Sequence, residues 1–292
     1  MYNERQIQEE IELVNTLKML TQAYEEISVL RMQRVKNSVL LTRDFLARLA
    51  SVFYDVKVGY RKEISRRFGK ERKGRVSFST IAKNGRTVSV LLTANARLYG
   101  DIVRRVVNLF IEDMRKNPTD IVIVGKLGKE LFDQADTKLP YTYYSVPDAS
   151  ITSQDLSGIT STLVNYETVN VYYGQFMNVV TQKPAIANIT GEQNMEEDLP
   201  DQNREELRFY FEPSLEKILY FFETQVFASL MKQTTHEGEL SRLASRIRAM
   251  EEAITNIEER ETGLASDFRR ARKHTLAKKQ LDALSGIYLW GE

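Results

Sequence analysis

Between Leu240 and Ala271 the chain carries one apolar series that fixes much of what it can fold into. Leu240, Leu243, Ile247, Met250, Ile254, Ile257, Leu264, Phe268 and Ala271 fall at alternating steps of three and four, broken only by Glu261. A 3.5-residue repeat held this long describes a helix whose apolar seam faces another helix. Glu and Arg dominate the positions between, as expected of solvated flanks. Gly263 is a single flaw, costing ~1 kcal/mol in a helix interior. Such a seam cannot be buried without a partner.

The chain offers one other long seam. Asn3 to Asp55 contains no Gly or Pro, and Leu13, Leu17, Leu20, Tyr24 and Ile27 repeat the same alternation. As one helix this segment rises ~1.5 Å per residue, giving a rod of roughly 75 Å. The two ends are therefore expected to meet as an antiparallel two-helix coiled coil. Periodicity alone also fits a generic coiled-coil scaffold or a homodimer.

The segment between them has a different character. A basic stretch, Arg61 to Arg75, precedes two β-like runs, Val76–Ile81 and Thr87–Thr93, joined by Lys83-Asn84-Gly85-Arg86. Asn-Gly between apolar runs predicts a hairpin. A helical pattern covers Leu98 to Met114, an apolar run Ile121–Gly125, a second helix Lys126–Ala135, and another strand Val169–Tyr173. Strands alternating with helices imply an α/β domain with a parallel sheet, of Rossmann-like type. Gly191 to Glu206 is acidic and poor in apolar residues, predicting a surface loop. The expected division is 1–55 and 213–292 for the coiled-coil helices and 56–212 for the α/β domain.

Chemistry is sparse. Gly125-Lys126-Leu127-Gly128-Lys129 follows a strand but has neither the P-loop nor the dinucleotide spacing. His236 and His274 have no ligand-spaced companions, and no hydroxyl nucleophile sits in a recognised motif. The 292 residues hold no cysteine, which excludes disulfides and fits a reducing compartment. Lys and Arg total 41 against 40 acidic residues. That balance argues against wholesale nucleic-acid or membrane-surface binding. No apolar run approaches the ~20 residues of a membrane helix. The residues point to a mechanical or binding role, with no catalytic residue, cofactor or metal expected.

Several strings, in order, give that role a name. Val171-Tyr172-Tyr173-Gly174-Gln175-Phe176-Met177-Asn178, running to Gln182-Lys183-Pro184, resembles the strand, Asn-Lys-Phe and Ser-Gln-x-Pro of the gamma subunit of F-type ATP synthases. Phe211-Glu212-Pro213-Ser214 is similar to that family's entry into its C-terminal helix, and Gly125-Lys126-Leu127-Gly128 with Phe132 to its Gly-x-Lys-Gly segment. Asn15-Thr16, Lys18 and Thr21-Gln22-Ala23 resemble its N-terminal signature. Arg246-Ile247-Arg248-Ala249-Met250 with Ala253 and Asn256, then Ala271-Arg272-Lys273 through Gly286, resemble its last helix. The family's Ser-Asp-Arg-Gly-Leu-Cys-Gly-Gly is replaced by Ala94-Asn95-Ala96-Arg97-Leu98-Tyr99-Gly100-Asp101. Lys273 and Lys279 replace a Gln and a carboxylate, and Ile287-Tyr288-Leu289-Trp290 is bulkier than the usual tip.

The resemblance implies a rotor inside a ring of alpha and beta subunits, coupling proton flow to ATP synthesis or hydrolysis. Its foot would meet an epsilon-type subunit and the membrane c-ring. The complex would lie on the cytoplasmic side of the plasma membrane, with no insertion of this chain into the bilayer and no nucleic-acid partner. Lys18, Gln22, Arg31, Arg272 and Lys273 are the implied ring contacts, and Arg97, Arg104 and Arg105 the contacts at the stalk base. A motor not coupled to proton pumping and a non-motor adaptor are the competing expectations.

Overall fold

A computed structural model describes residues 4–68, 83–149, 151–190 and 214–289. In chain order it contains α1 (Glu4–Phe68), β1 (Thr87–Leu92), α2 (Ile102–Lys116), β2 (Asp120–Val124), α3 (Lys126–Gln134), β3 (Thr142–Tyr144), α4 (Ser153–Leu163), β4 (Thr168–Phe176), β5 (Gln182–Asn188) and α5 (Leu215–Leu289). The expected acidic loop at 191–206 and the Phe211-Glu212-Pro213 string lie outside the described residues. Two compact units are formed, Met1–Leu30 with Arg246–Glu292, and Arg31–Ser245. Both long helices contribute to each.

The first unit is the expected coiled coil. Ile7, Val14 and Leu264 are buried, with Ile11, Ile257, Phe268 and Ala271 packed against them. Early residues of α1 thus meet late residues of α5. The seam on α5 is the one the sequence predicts, but the seam on α1 is not. Leu13, Leu17, Leu20, Tyr24 and Ile27 are each about half exposed. The inward series is Ile7, Ile11, Val14, Lys18, Thr21, Glu25 and Ser28, which keeps the same alternation of four and three one position away. A shift of one residue turns a helix face by about 100°. The more apolar of two adjacent stripes therefore faces outward.

In the second unit the strand order is β3-β2-β1-β4-β5. β1 pairs in parallel with both β2 and β4, β2 in parallel with β3, and β4 antiparallel with β5. This is the Rossmann-like arrangement, with the chain reversing its direction of strand addition between β1 and β4. Both faces are covered. Leu91, Ile121, Ile123 and Tyr172 pack against α2, α3, Val35 and Val39 of α1, and Leu240 and Leu243 of α5. Val88, Val90, Leu92, Val122, Val169 and Val171 face α4 together with Phe227 and Met231 of α5. The alternation along β1 follows from the two-residue strand period.

The expected hairpin is corrected here. β1 has a parallel neighbour on each side, so neither edge is free for an antiparallel partner from Val76–Ile81, a segment outside the described residues. Asn84 still makes a local turn, its side-chain oxygen accepting from the Arg86 N–H at 2.9 Å. The helix expected from Leu98 begins only at Ile102, because Leu98 (φ 68°) and Gly100 (φ 61°) adopt left-handed backbone. α5 starts where Ser214 accepts a hydrogen bond from the Lys217 N–H at 3.4 Å, an N-cap geometry.

Candidate partner surfaces

In an open α/β sheet the crevice at the strands' carboxyl ends, at the point of reversal, is the usual ligand site. Here α5 occupies it. Thr235 and Arg242 stand beside Leu92, Thr93, Val124, Gly125 and Asp148, leaving about 10 Å³. That is about the space of one water. The turn after β1 presents two backbone N–H groups, of Asn95 and Ala96. Both donate to the Asp148 carboxylate, each at 2.7 Å. Asn95 closes the turn, donating from Nδ2 to the Val146 carbonyl at 2.7 Å and accepting from the Lys126 N–H at 2.9 Å. The donors that a phosphate would use in such a fold are thus taken by the chain's own carboxylate.

α5 packs this closely against β4 and the turn before α2 because two glycines let it. A Cβ on Gly174 would lie 2.7 Å from Ser241 Oγ. A Cβ on Gly100 would lie 2.4 Å from Ser245 Oγ and 2.8 Å from the Ser245 carbonyl oxygen. Ser241 and Ser245 are one helical turn apart and fully buried, and the Arg242 guanidinium between them lies over the Tyr99 ring at 5.9 Å.

The residues expected to contact partners fall into distinct settings. Lys18 is three-quarters buried at its side chain. It is held across the coiled coil by Glu261 (3.1 Å) and Glu258 (3.2 Å). The hydrogen bond to Glu261, then that to Glu258, raises its pKa above the ordinary lysine value. The polar break in the α5 seam, Glu261, therefore has its mate in Lys18 of the inward α1 series. Glu10 and Arg260 form a second ion pair between the helices. Gln22 on α1, and Arg272 and Lys273 on α5, are exposed in the same unit. Arg31, also exposed, belongs to the other unit, where it borders a cleft shared by α1 and α5.

Arg97 and Arg104 line a second cleft of about 300 Å³, with Leu98, Tyr99, Leu127 and Glu130. Arg97 pairs with Glu130 at 2.9 Å. Arg105 instead turns to the sheet, donating to the Gln182 carbonyl at 3.2 Å and lying 3.6 Å from Asp101. So Arg97 and Arg104 are brought together, and Arg105 braces β5 against α2. Arg61–Phe68 of the basic stretch continues α1, and residues 69–75 lie outside the described residues. Sequence reasoning missed Asp148, and it read Glu261 only as a polar interruption of the seam. A lone cation facing a lone carboxylate in two opposed seams was the available signal, hidden because the α1 seam was placed one residue off.

Among the described residues no helix is long and apolar enough to cross a membrane, and no group of three His, Asp or Glu is placed to hold a metal. A family model described as ATP synthase matches residues 3–287. The ATP synthase gamma chain of Roseiflexus castenholzii is 24% identical over 303 residues, covering 98% of each chain. That of Pelotomaculum thermopropionicum is 21% identical over 292 residues, covering 97% of each. Two solved structures share the fold at 16% identity. The central stalk and c-ring structure of Tetrahymena thermophila mitochondrial ATP synthase has a TM-score of 0.56, covering 80% of this chain and 99% of that one. The OSCP/F1/c-ring structure of the Euglena gracilis enzyme has a TM-score of 0.52, covering 89% and 94%.

Proposed function

Because the chain belongs to the gamma-chain family of F-type ATP synthases, we propose that it turns as the central-stalk rotor within a ring of alpha and beta subunits, coupling proton flow to ATP synthesis or hydrolysis. The match from residue 3 to residue 287 carries this reading, since it includes the coiled coil and the α/β domain together. The chain supplies no catalytic group. Its contribution is an asymmetric surface whose angle biases the nucleotide affinity of distant sites, a coupling free energy rather than a reaction step.

The surface suited to that task is the outward stripe Leu13, Leu17, Leu20, Tyr24 and Ile27, flanked by Gln22 on α1 and complemented by Arg272 and Lys273 on α5. Exposed apolar rows of this size mark contact faces. The two cations offer charge-assisted hydrogen bonds to acidic loops. Lys18, already held by Glu258 and Glu261, serves the coil itself. Arg97 and Arg104, at their cleft, are the base contacts toward an epsilon-type subunit and the c-ring. The complex is placed on the cytoplasmic face of the plasma membrane, with this chain peripheral to it.

Affinity purification from the native source, with mass spectrometry and an ATPase assay of the eluate, tests the proposal. Two larger nucleotide-binding subunits are expected in excess over this chain, with hydrolysis that falls when residues after Ala271 are deleted. Membrane ring subunits in the same eluate separate a proton-coupled enzyme from a non-pumping motor. Recovery of the chain alone or as a homodimer, without ATPase, overturns the rotor reading.

A further inference from the structure

The largest cleft described above is not the sheet crevice. It lies where α1 and α5 pass the segment after β3, within the unit Arg31–Ser245. Its volume is about 510 Å³, and its walls are Arg31, Arg34, Ser38 and Thr42 of α1 with Lys232, His236 and Glu239 of α5. Val35, Leu41, Ala149 and Ile151 supply the apolar part. On each helix the polar residues follow three- and four-residue steps, so each helix presents one polar face to the same space.

The charges do not cancel. Arg31, Arg34 and Lys232 form no ion pair among the described residues. Among the described residues the single carboxylate in the wall is Glu239, buried beside His236 with its Oε2 3.6 Å from His236 Nδ1. That distance is too long for a hydrogen bond. His236 is only 7% exposed, and its Nδ1 has no hydrogen-bond partner. A buried polar atom without a partner is uncommon, so the packing around this imidazole leaves one of its nitrogens unsatisfied. Among the described residues of the wall, three basic side chains face one carboxylate, a formal surplus of two positive charges without counting the imidazole.

We infer that this cleft is a binding site for a small phosphate-bearing dianion. Two guanidinium groups one helical turn apart match the tetrahedral face of a phosphate, which accepts paired N–H donors from arginine. Lys232 adds a point charge from the opposite helix, and the imidazole adds a further polar group at the cleft wall. The apolar wall of Val35, Leu41 and Ile151 suits an organic group attached to the phosphate. The site is independent of the rotor reading, because it stands on the cleft's own walls. Bound there, the dianion would tie α1 to α5 within this unit.

The test uses the purified full-length chain at neutral pH and low salt. Binding of inorganic phosphate and of a nucleoside monophosphate is measured by titration calorimetry, with chloride as the control anion. Saturable binding of at least one is expected. It should weaken by roughly tenfold or more in the double variant Arg34→Gln/Lys232→Gln, as removal of two charge-assisted contacts requires. Far-UV circular dichroism verifies that the variant is folded. The double variant Arg269→Gln/Arg270→Gln removes the same charge elsewhere and should bind as the parent does. Equal affinity for the two ligands assigns free phosphate, and tighter binding of the ester assigns a phosphorylated metabolite. Absence of saturable binding, or equal weakening in both double variants, overturns the proposal. Binding of an acidic peptide without binding of either phosphate also overturns it, in favour of a protein contact.

Discussion

Glu237 shows how much the second unit tolerates in order to keep α5 against the sheet. It is 8% exposed, and burial raises its carboxyl pKa, with the nearby Arg43 charge pulling the other way. A carboxyl with a raised folded-state pKa holds its proton where the unfolded chain has already lost it. Its contribution to stability therefore falls as pH rises above the ordinary glutamate value of ~4.3. Glu237→Gln is expected to raise the melting temperature at neutral pH and to change it little near pH ~4. Thermal unfolding at the two pH values checks this, and a variant less stable at neutral pH would show that Arg43 outweighs burial. Tyr173 on β4 is held in the same direction, its phenol pushed up to about 12 by burial first and by Glu237 second.

At the scale of elements, the contrast between the two long helices explains what was legible in the sequence. The α5 seam could be read because its inward positions are Leu, Ile, Met and Phe, with one carboxylate. On α1 the inward positions include Lys18, Thr21, Glu25 and Ser28, and the position before each is Leu17, Leu20, Tyr24 or Ile27. Both rows have the same period, and a pattern of apolarity cannot say which one finds a partner. The core strands at 121–124 and 169–173 were legible as continuous apolar runs, because parallel strands are buried on both faces. Asn84-Gly85 misled because the turn is real but the strand after it is central. Asp148 carried no signal, since its role depends on two N–H groups about fifty residues away. The α1 correction has a measurable consequence. Leu264→Ala, at a seam position 2% exposed, is expected to destabilise the coiled coil by about 2–3 kcal/mol. Leu17→Ala, on the outward stripe, should stay within about 0.5 kcal/mol in the isolated chain. Thermal melts followed by helical circular dichroism distinguish the two, and equal effects would restore the stripe as the seam.

For the molecule as a whole, the two units differ in what holds them. Among the described residues one relies on a small apolar cluster of three buried residues, Ile7, Val14 and Leu264, helped by ion pairs at partly exposed side chains. The other has two large clusters, one on each face of a five-stranded sheet. Surface ion pairs add little, so local opening should follow the apolar cores. Hydrogen exchange on the isolated chain is expected to be faster at 7–28 and 250–271 than in β1, β2 and β4. The reverse order would mean that the coiled coil is stabilised by more than its seam. Binding to a partner along the outward stripe should slow the fast set selectively.

The meeting of Gly100 and Gly174 with Ser245 and Ser241 has a mechanical meaning. Side chains are the compliant part of a protein joint, since they can change rotamer under load. Here a strand end and a turn abut a helix with only hydroxymethyl groups between them, so little can yield. A twist applied to this stretch of α5 is resisted by main chain against main chain, as a key resists in its slot. Elastic give must then be found elsewhere along the helices, where long side chains fill the gaps.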